Sequence, residues 1–242
     1  MNTAILTIDD IASKNTPAIV DYLKEKGIPA IMFAEGARVE KYYEEALYAV
    51  KNDMIVGNHS YSHNPFSKLT VDEAIADIEK CEAVLDKLYA DAGVERKYRP
   101  FRFPYGDKGG ENKDALQKYF RENGFHKVDD TQITYPWWKE HGLDKDIDTF
   151  WTFDFEEYRL QYDDSFSIDA IWQKMNNENP NQGAVLFAEN NHHLILLHAH
   201  DETDAIFPRY YKEFIEKCLE RGLQFEAPGF LKIDNDTYEK YV

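Results

Sequence analysis

Cysteine is scarce in this chain, with two residues, Cys81 and Cys218, among 242. Two thiols make no disulfide framework, and both fall at helical positions that read as core, where a thiol behaves as a small apolar side chain. Long apolar runs are also missing. None approaches the ~20 residues that a membrane-spanning helix needs, so no membrane insertion is expected. Basic residues are few beside the acids: 28 Lys and Arg against 45 Asp and Glu give a formal charge of −17. That balance argues against nucleic acid as a partner, because phosphate binding draws on clustered cations. It argues equally against an anionic membrane surface. There is no internal repeat, no low-complexity tract and no Pro/Gly/Ser linker to divide the chain. No signal peptide opens it either, since the apolar run Ala4-Ile5-Leu6 stops within a few residues at Asp9-Asp10. This points to the cytoplasm, with export of a protein whose signal segment lies outside this sequence as the alternative.

What is present suits a globular core. Hydrophobic residues make up 43% and aromatics 14% of the chain, which excludes global disorder. Short apolar runs alternate with amphipathic stretches, the pattern of an α/β fold with a parallel sheet. The expected strands are Ala4–Ile8, Pro29–Ala34, Met54–Gly57, Tyr98–Phe103, Trp151–Phe155, Leu194–Leu197 and Leu223–Glu226. A first helix starts at Thr16-Pro17 and closes at Gly27. The clearest helix begins with the capping box Thr70-Val71-Asp72-Glu73 and buries Ala74, Ile78, Cys81, Leu85 and Leu88. Further helices are expected through Leu116–Phe120, over Ile168–Met175 and over Ile206–Arg221. From His126 to Thr149 the alternation fades into an ordered excursion that contains Trp137-Trp138.

Titratable residues gather where strands end, the position at which α/β folds build their sites. Asp9-Asp10 ends the first strand, and alternation along a strand would give the two carboxylates different jobs. His59 and His63 stand four apart, so a single helical turn would point both imidazoles at one divalent ion. Two His and one carboxylate leave coordination positions open for water and substrate. Arg102, between Phe101 and Phe103, needs a carboxylate partner if it is buried. His198 follows Ile195-Leu196-Leu197, with a second imidazole at His200.

These stations resemble, in this order, the polysaccharide deacetylases that share the NodB-homology domain, carbohydrate esterase family 4. Thr7-Ile8-Asp9-Asp10 is similar to the family motif T-F-D-D, and His59-Ser60-Tyr61-Ser62-His63 to H-S-x-x-H. Arg102-Phe103-Pro104-Tyr105 resembles R-x-P-Y, and Leu196-Leu197-His198 resembles L-x-H. The resemblance runs from Thr7 to the helix after His198. It implies a distorted (β/α) barrel of seven or so parallel strands, one domain over residues 1–242 with an insertion at about 129–150. It also implies roles: Asp9 as general base, Asp10, His59 and His63 as metal ligands, and His198 as general acid. Arg102 would orient Asp9, and the Tyr105 main chain would help hold an oxyanion. The fourth motif, D-x-x-D-W, departs here to Asp154-Phe155-Glu156-Glu157-Tyr158. Glu157 is therefore the candidate that tunes His198, with Asp154 and Asp129-Asp130 as alternatives, and His200 is a weaker candidate acid.

The chemistry so implied is hydrolysis of N-acetyl groups on amino sugars of an oligo- or polysaccharide. The cofactor would be a divalent metal ion, Zn2+ first and Co2+ or Ni2+ as substitutes, and the partner an N-acetylated glycan. Trp137-Trp138 would either line a sugar site or anchor its loop to the core. Two other readings fit the same pattern: an amidohydrolase of this fold acting on a small non-glycan amide, and a non-catalytic glycan-binding relative.

Overall fold

The computed structural model describes residues 2–234 and 237–240 of the chain. β1 (Asn2–Ile11) leads through α1 (Thr16–Lys26) to β2 (Ala30–Ala34), then through α2 (Gly36–Lys41) and α3 (Tyr43–Lys51) to β3 (Ile55–Asn58) and the long α4 (Val71–Ala92). The second half carries α5 (Lys113–Glu122), β4 (Lys127–Val128), α6 (Pro136–Glu140), β5 (Phe153–Asp154) and α7 (Ile168–Met175). β6 (His192–His198), α8 (Asp201–Ile206), α9 (Tyr210–Glu220), β7 (Leu223–Phe225), β8 (Phe230–Asp234) and β9 (Thr237–Lys240) complete it.

Six strands pair in parallel in the order β3-β2-β1-β6-β5, with β7 beside the start of β1. The ring then closes through irregular chain. Asn58 N donates to Pro100 O at 2.9 Å, Arg102 N donates to Asn58 O at 3.0 Å, and Thr149 N donates to Phe101 O at 2.8 Å. Since residue 149 runs on into β5, the sheet returns to itself as a distorted barrel. The seventh parallel strand expected at Tyr98–Phe103 is reduced to a single bridge between Asn58 and Phe101. Pro100 and Pro104 have no N–H, so this segment cannot sustain a ladder. Gly57 allows it to come close: a Cβ there would stand 2.8 Å from both Cγ and O of Pro100.

Alternation along the strands separates two cores. Ala4, Leu6 and Ile8, with Met32, Val56, Ile195 and Leu197, face the helices, where Ile19, Leu23, Cys81, Leu85, Phe214 and Cys218 meet them. Both thiols are buried there, as expected. The opposite row, Ile5, Ile31, Phe33 and Leu194, lies inside the barrel. Ile133, Trp138 and Leu143 of the excursion and Phe230 of β8 pack onto this inner row.

The α4 capping box forms as read: Glu73 N donates to Thr70 Oγ1 at 3.3 Å and Thr70 N to Glu73 Oε2 at 2.8 Å. The final helix is not continuous. It divides into α8 and α9 around Phe207-Pro208-Arg209, because proline disfavours helical geometry in the residue before it. The antiparallel sheet β4-β8-β9 and the pair α2 and α3 carried no expectation from the sequence.

Candidate active site

The inner row of β1 changes character toward the barrel mouth. Ile5 is apolar, Thr7 donates to Ile195 O at 2.6 Å, and Asp9, two residues on, is 3% exposed. Arg102, wholly buried, supplies the partner that its burial demanded. Its Nη1 donates to Asp9 Oδ1 and to Thr7 Oγ1, each at 2.8 Å, and its Nε donates to Thr149 O at 3.0 Å. Phe33 covers the guanidinium face at 4.5 Å.

Asp9 and Asp10 do part company, though not by strand alternation. β1 breaks register between Ile8 and Ile11, and Asp10 adopts φ 61°. Left-handed geometry is unfavourable for a residue with a Cβ, and such strain gathers at functional sites. Ser60, His63 and Tyr105 share it, with φ of 66°, 55° and 59°.

His59 and His63 converge without the expected helical turn. Residues 59–63 form a loop pinned on two sides. Gly36 N and Ala37 N donate to Ser60 O and Tyr61 O at 2.9 and 3.0 Å. On the other side Asp77 of α4 accepts from Tyr61 N at 3.0 Å and from Ser62 Oγ at 2.7 Å. His59 Nδ1 donates to Arg102 O at 2.8 Å, which leaves Nε2 as a bare lone pair. Burial pushes the His59 imidazole below its ordinary range, despite the opposing pull of Asp9.

That lone pair faces oxygen atoms. His59 Nε2 lies 3.5 Å from Asp10 Oδ1 and 3.5 Å from Asp9 Oδ2, and His63 Nε2 lies 3.2 Å from Asp10 Oδ1. Asp10 Oδ1 is buried and accepts no hydrogen bond. Burial raises the Asp10 carboxyl, but His200, His63 and His59 outweigh it and hold the group well below the carboxylate range. One ligand atom from each of Asp10, His59 and His63 lies within 4.8 Å of the others. Three Lewis bases aimed at one point fit a divalent cation with nitrogen and oxygen ligands. The carboxylate and imidazole chemistry suits Zn2+, Co2+ or Ni2+ alike.

On the neighbouring strand, His198 ends β6 in register with Asp9. Glu157 Oε1 accepts from His198 N at 2.5 Å and stands 3.3 Å from Nδ1, with the Glu157 side chain wholly buried. Burial alone would push the imidazole down, yet Glu157, aided by Asp154 and Asp10, raises it to about 10. Asp154, raised to about 6 chiefly by burial, accepts from Glu156 N and lies beside the same imidazole. The Tyr158 ring rests edge-on against His198 at 4.7 Å. Asp129 and Asp130 are occupied elsewhere. Asp129 Oδ1 accepts from Thr131 N, and Asp130 Oδ2 accepts from Lys127 Nζ at 2.8 Å and Trp138 Nε1 at 2.9 Å. Tyr105 is two-thirds exposed beside the cation site, its ring 4.6 Å from that of His63.

The two tryptophans of the excursion have different surroundings. Trp138 is buried and anchors the loop through Asp130, whereas Trp137 lines a cavity of about 840 Å³. Phe150, Trp151, Asp154, Tyr158 and Gln182 share the lining. Asp154 and Tyr158 also meet His198, so the cavity opens directly beside the candidate acid. His200, which bonds to Asp10, is read from the sequence only as a weaker candidate acid, and Gln161, which bonds to His200, has no task there. No strand-face signal in the sequence marks His200, since β6 ends at His198 and His200 caps the following helix.

The fold and site together are a closed parallel α/β barrel with an Asp, His, His cluster and an Arg-held carboxylate at its mouth. Residues 1–128 match the profile of the family described as polysaccharide deacetylase, and the chain belongs to that family. Among curated proteins, it is 35% identical over 103 residues to the peptidoglycan-N-acetylglucosamine deacetylase of Bacillus cereus, a stretch covering 42% of this chain and 36% of that protein. The matched stretch thus spans about a third of that relative's length. Among solved structures, the fold is similar to the Bc1960 peptidoglycan N-acetylglucosamine deacetylase, with TM-score 0.60, 21% identity and coverage of 93% of this chain and 85% of that one. It is also similar to a pseudoenzyme of carbohydrate esterase family 4 from Bacillus anthracis, with TM-score 0.62, 21% identity and coverage of 92% and 62%.

Proposed function

We propose that this protein is a metal-dependent hydrolase that removes N-acetyl groups from amino-sugar residues of an oligo- or polysaccharide. The single observation that carries the reading is the pairing of two differently prepared groups on neighbouring strands at the barrel mouth. On β1 Asp9 is held by Arg102 next to the Asp10, His59 and His63 cluster. On β6 His198 is kept protonated by Glu157.

An amide resists water because its carbonyl is a weak electrophile and its amine a poor leaving group. A divalent cation at Asp10, His59 and His63, when bound, supplies Lewis acidity that brings water toward deprotonation near neutral pH and polarises a carbonyl. Asp9 takes the proton from the attacking water, with Arg102 fixing the carboxylate so that its free oxygen faces the cluster. His198, protonated, gives its proton to the departing nitrogen. Glu157 holds that imidazole in place, and Tyr158 and Asp154 shield it from bulk water. The products are acetate and a free amine on the sugar.

The cavity beside His198 supports a glycan over a small amide. Its ~840 Å³ exceeds what a lone amide would fill, and aromatic faces next to amide side chains suit sugar rings. The similarity to a peptidoglycan-N-acetylglucosamine deacetylase of Bacillus cereus points the same way. The pseudoenzyme relative keeps a non-catalytic glycan binder as the second reading.

The deciding experiment measures acetate release from chitooligosaccharides, peptidoglycan fragments and small N-acetyl amides, with and without a chelator. Release from glycans that a chelator stops and zinc or cobalt restores is expected. Chelator-insensitive turnover would overturn the metal assignment, and glycan binding without acetate would establish the non-catalytic reading.

A further inference from the structure

The two oxygens of Asp10 are treated differently. Oδ1 is the buried atom that accepts no hydrogen bond and faces His59 and His63. Oδ2 lies 2.7 Å from His200 Nε2. A carboxylate only accepts, so the hydrogen in this contact is on His200 Nε2. Gln161 Nε2 donates to His200 Nδ1 at 2.9 Å and approaches Thr203 Oγ1 at 2.7 Å. Gln161, at the end of the turn that begins with Glu157, therefore fixes the imidazole so that its one N–H points at Asp10. The His200 ring is buried and lies 5.4 Å from that of His198, tilted by 29°.

We propose that His200 is a positioning residue of the cation site, acting through Asp10 and itself aimed by Gln161. The inference rests on reading Asp10, His59 and His63 as a cation site. By occupying Oδ2, His200 leaves Oδ1 as the one oxygen free for the cation and holds Asp10 to a single-atom attachment. A carboxylate bound through both oxygens would fill a position that water and substrate need. Asp10 requires such a hold because its backbone has left the β1 ladder, with φ 61° in place of extended geometry. His200 thus does for Asp10 what the Arg102 carbonyl does for His59. Partners of this kind set ligand orientation and metal affinity.

The test uses the full chain, stripped of metal and titrated with Zn2+ and with Co2+ against a competing chelator. Visible absorption of the Co2+ form and circular dichroism of the metal-free form are recorded alongside. His200→Ala is expected to weaken both ions by about 10- to 100-fold and to change the Co2+ bands, with the metal-free fold retained. His200→Gln, whose amide N–H reaches nearly the same point, restores most of the affinity. Gln161→Leu, which leaves the Asp10 contact intact, gives a smaller loss. His200→Ala binding within twofold of the parent with unchanged Co2+ bands overturns the proposal, as does His200→Gln no tighter than His200→Ala. Failure of the cation reading itself looks different: the parent and Asp10→Asn proteins then bind neither ion, and both inferences fall together.

Discussion

Asp9 and His198 are register partners on the adjacent parallel strands β1 and β6. Ala199 N donates to Asp9 O at 3.0 Å, so the backbone locks that register at the barrel mouth. Base and acid candidates are thus held by rigid ladder hydrogen bonds, while their surroundings differ. Arg102 holds Asp9 and Glu157 holds His198. Asp9→Asn should retain the divalent ion and lose about 10²- to 10⁴-fold in kcat/KM. Metal analysis beside initial rates checks this, and an active Asp9→Asn protein would remove Asp9 as the base.

The His198 imidazole, raised to about 10 against an ordinary value near 6.5, gives a signed pH dependence. Because the folded state binds this proton more tightly, the stabilisation is complete below about 6.5 and fades as pH rises through about 10. Glu157→Gln removes the main attracting charge, so the alkaline limb of the rate profile should move to lower pH. Melting temperature should also fall less steeply on the alkaline side. Profiles of kcat/KM and melting between pH 6 and 10 test both statements.

Lys127 of β4 is buried with its ammonium on Asp130 Oδ2, Leu143 O and Asp146 O, so one cation ties the loop of the excursion to β4. Lys127→Met leaves a buried carboxylate and two carbonyls to find other partners. Breaking a buried pair from one side costs about 3–5 kcal/mol. Denaturant unfolding should show that loss, together with faster proteolysis between residues 129 and 150.

Trp137 lines the cavity and also stacks on Tyr135 at the edge of the inner core, while Trp138 is buried on Asp130. Trp137→Ala should raise KM for chitotetraose or longer oligomers by about tenfold and, since the ring also packs on the inner core, lower the melting temperature as well. Equal effects on oligomers and on a small N-acetyl amide would show that the cavity holds no sugar.

The sequence disclosed the site better than its scaffolding. Asp9, Asp10, His59, His63, Arg102 and His198 are separated in the chain but end strands or adjoin one, so element ends brought them together. Local geometry was less legible. His59 and His63 look helical by spacing, yet the Gly36 amide and the Asp77 carboxylate impose a loop that spacing does not encode. The expected Tyr98–Phe103 strand failed because Pro100 within it and Pro104 just after it lack donors, which periodicity alone overlooks. Glu157 was reachable as a motif departure, whereas the pairing of His200 with Asp10 depends on the break in β1, a tertiary feature.

The barrel is a ring with a join. Between Phe101 and residue 149 it is fastened by the Thr149 amide, and the Arg102 side chain spans the same gap through Thr149 O and Phe150 O. The mouth is therefore a clasp whose pin is also the side chain gripping Asp9. Loosening that clasp would splay the rim and slacken the carboxylate in one motion, and the Thr149 amide should trade its hydrogen with deuterated solvent before those in the middle of β1.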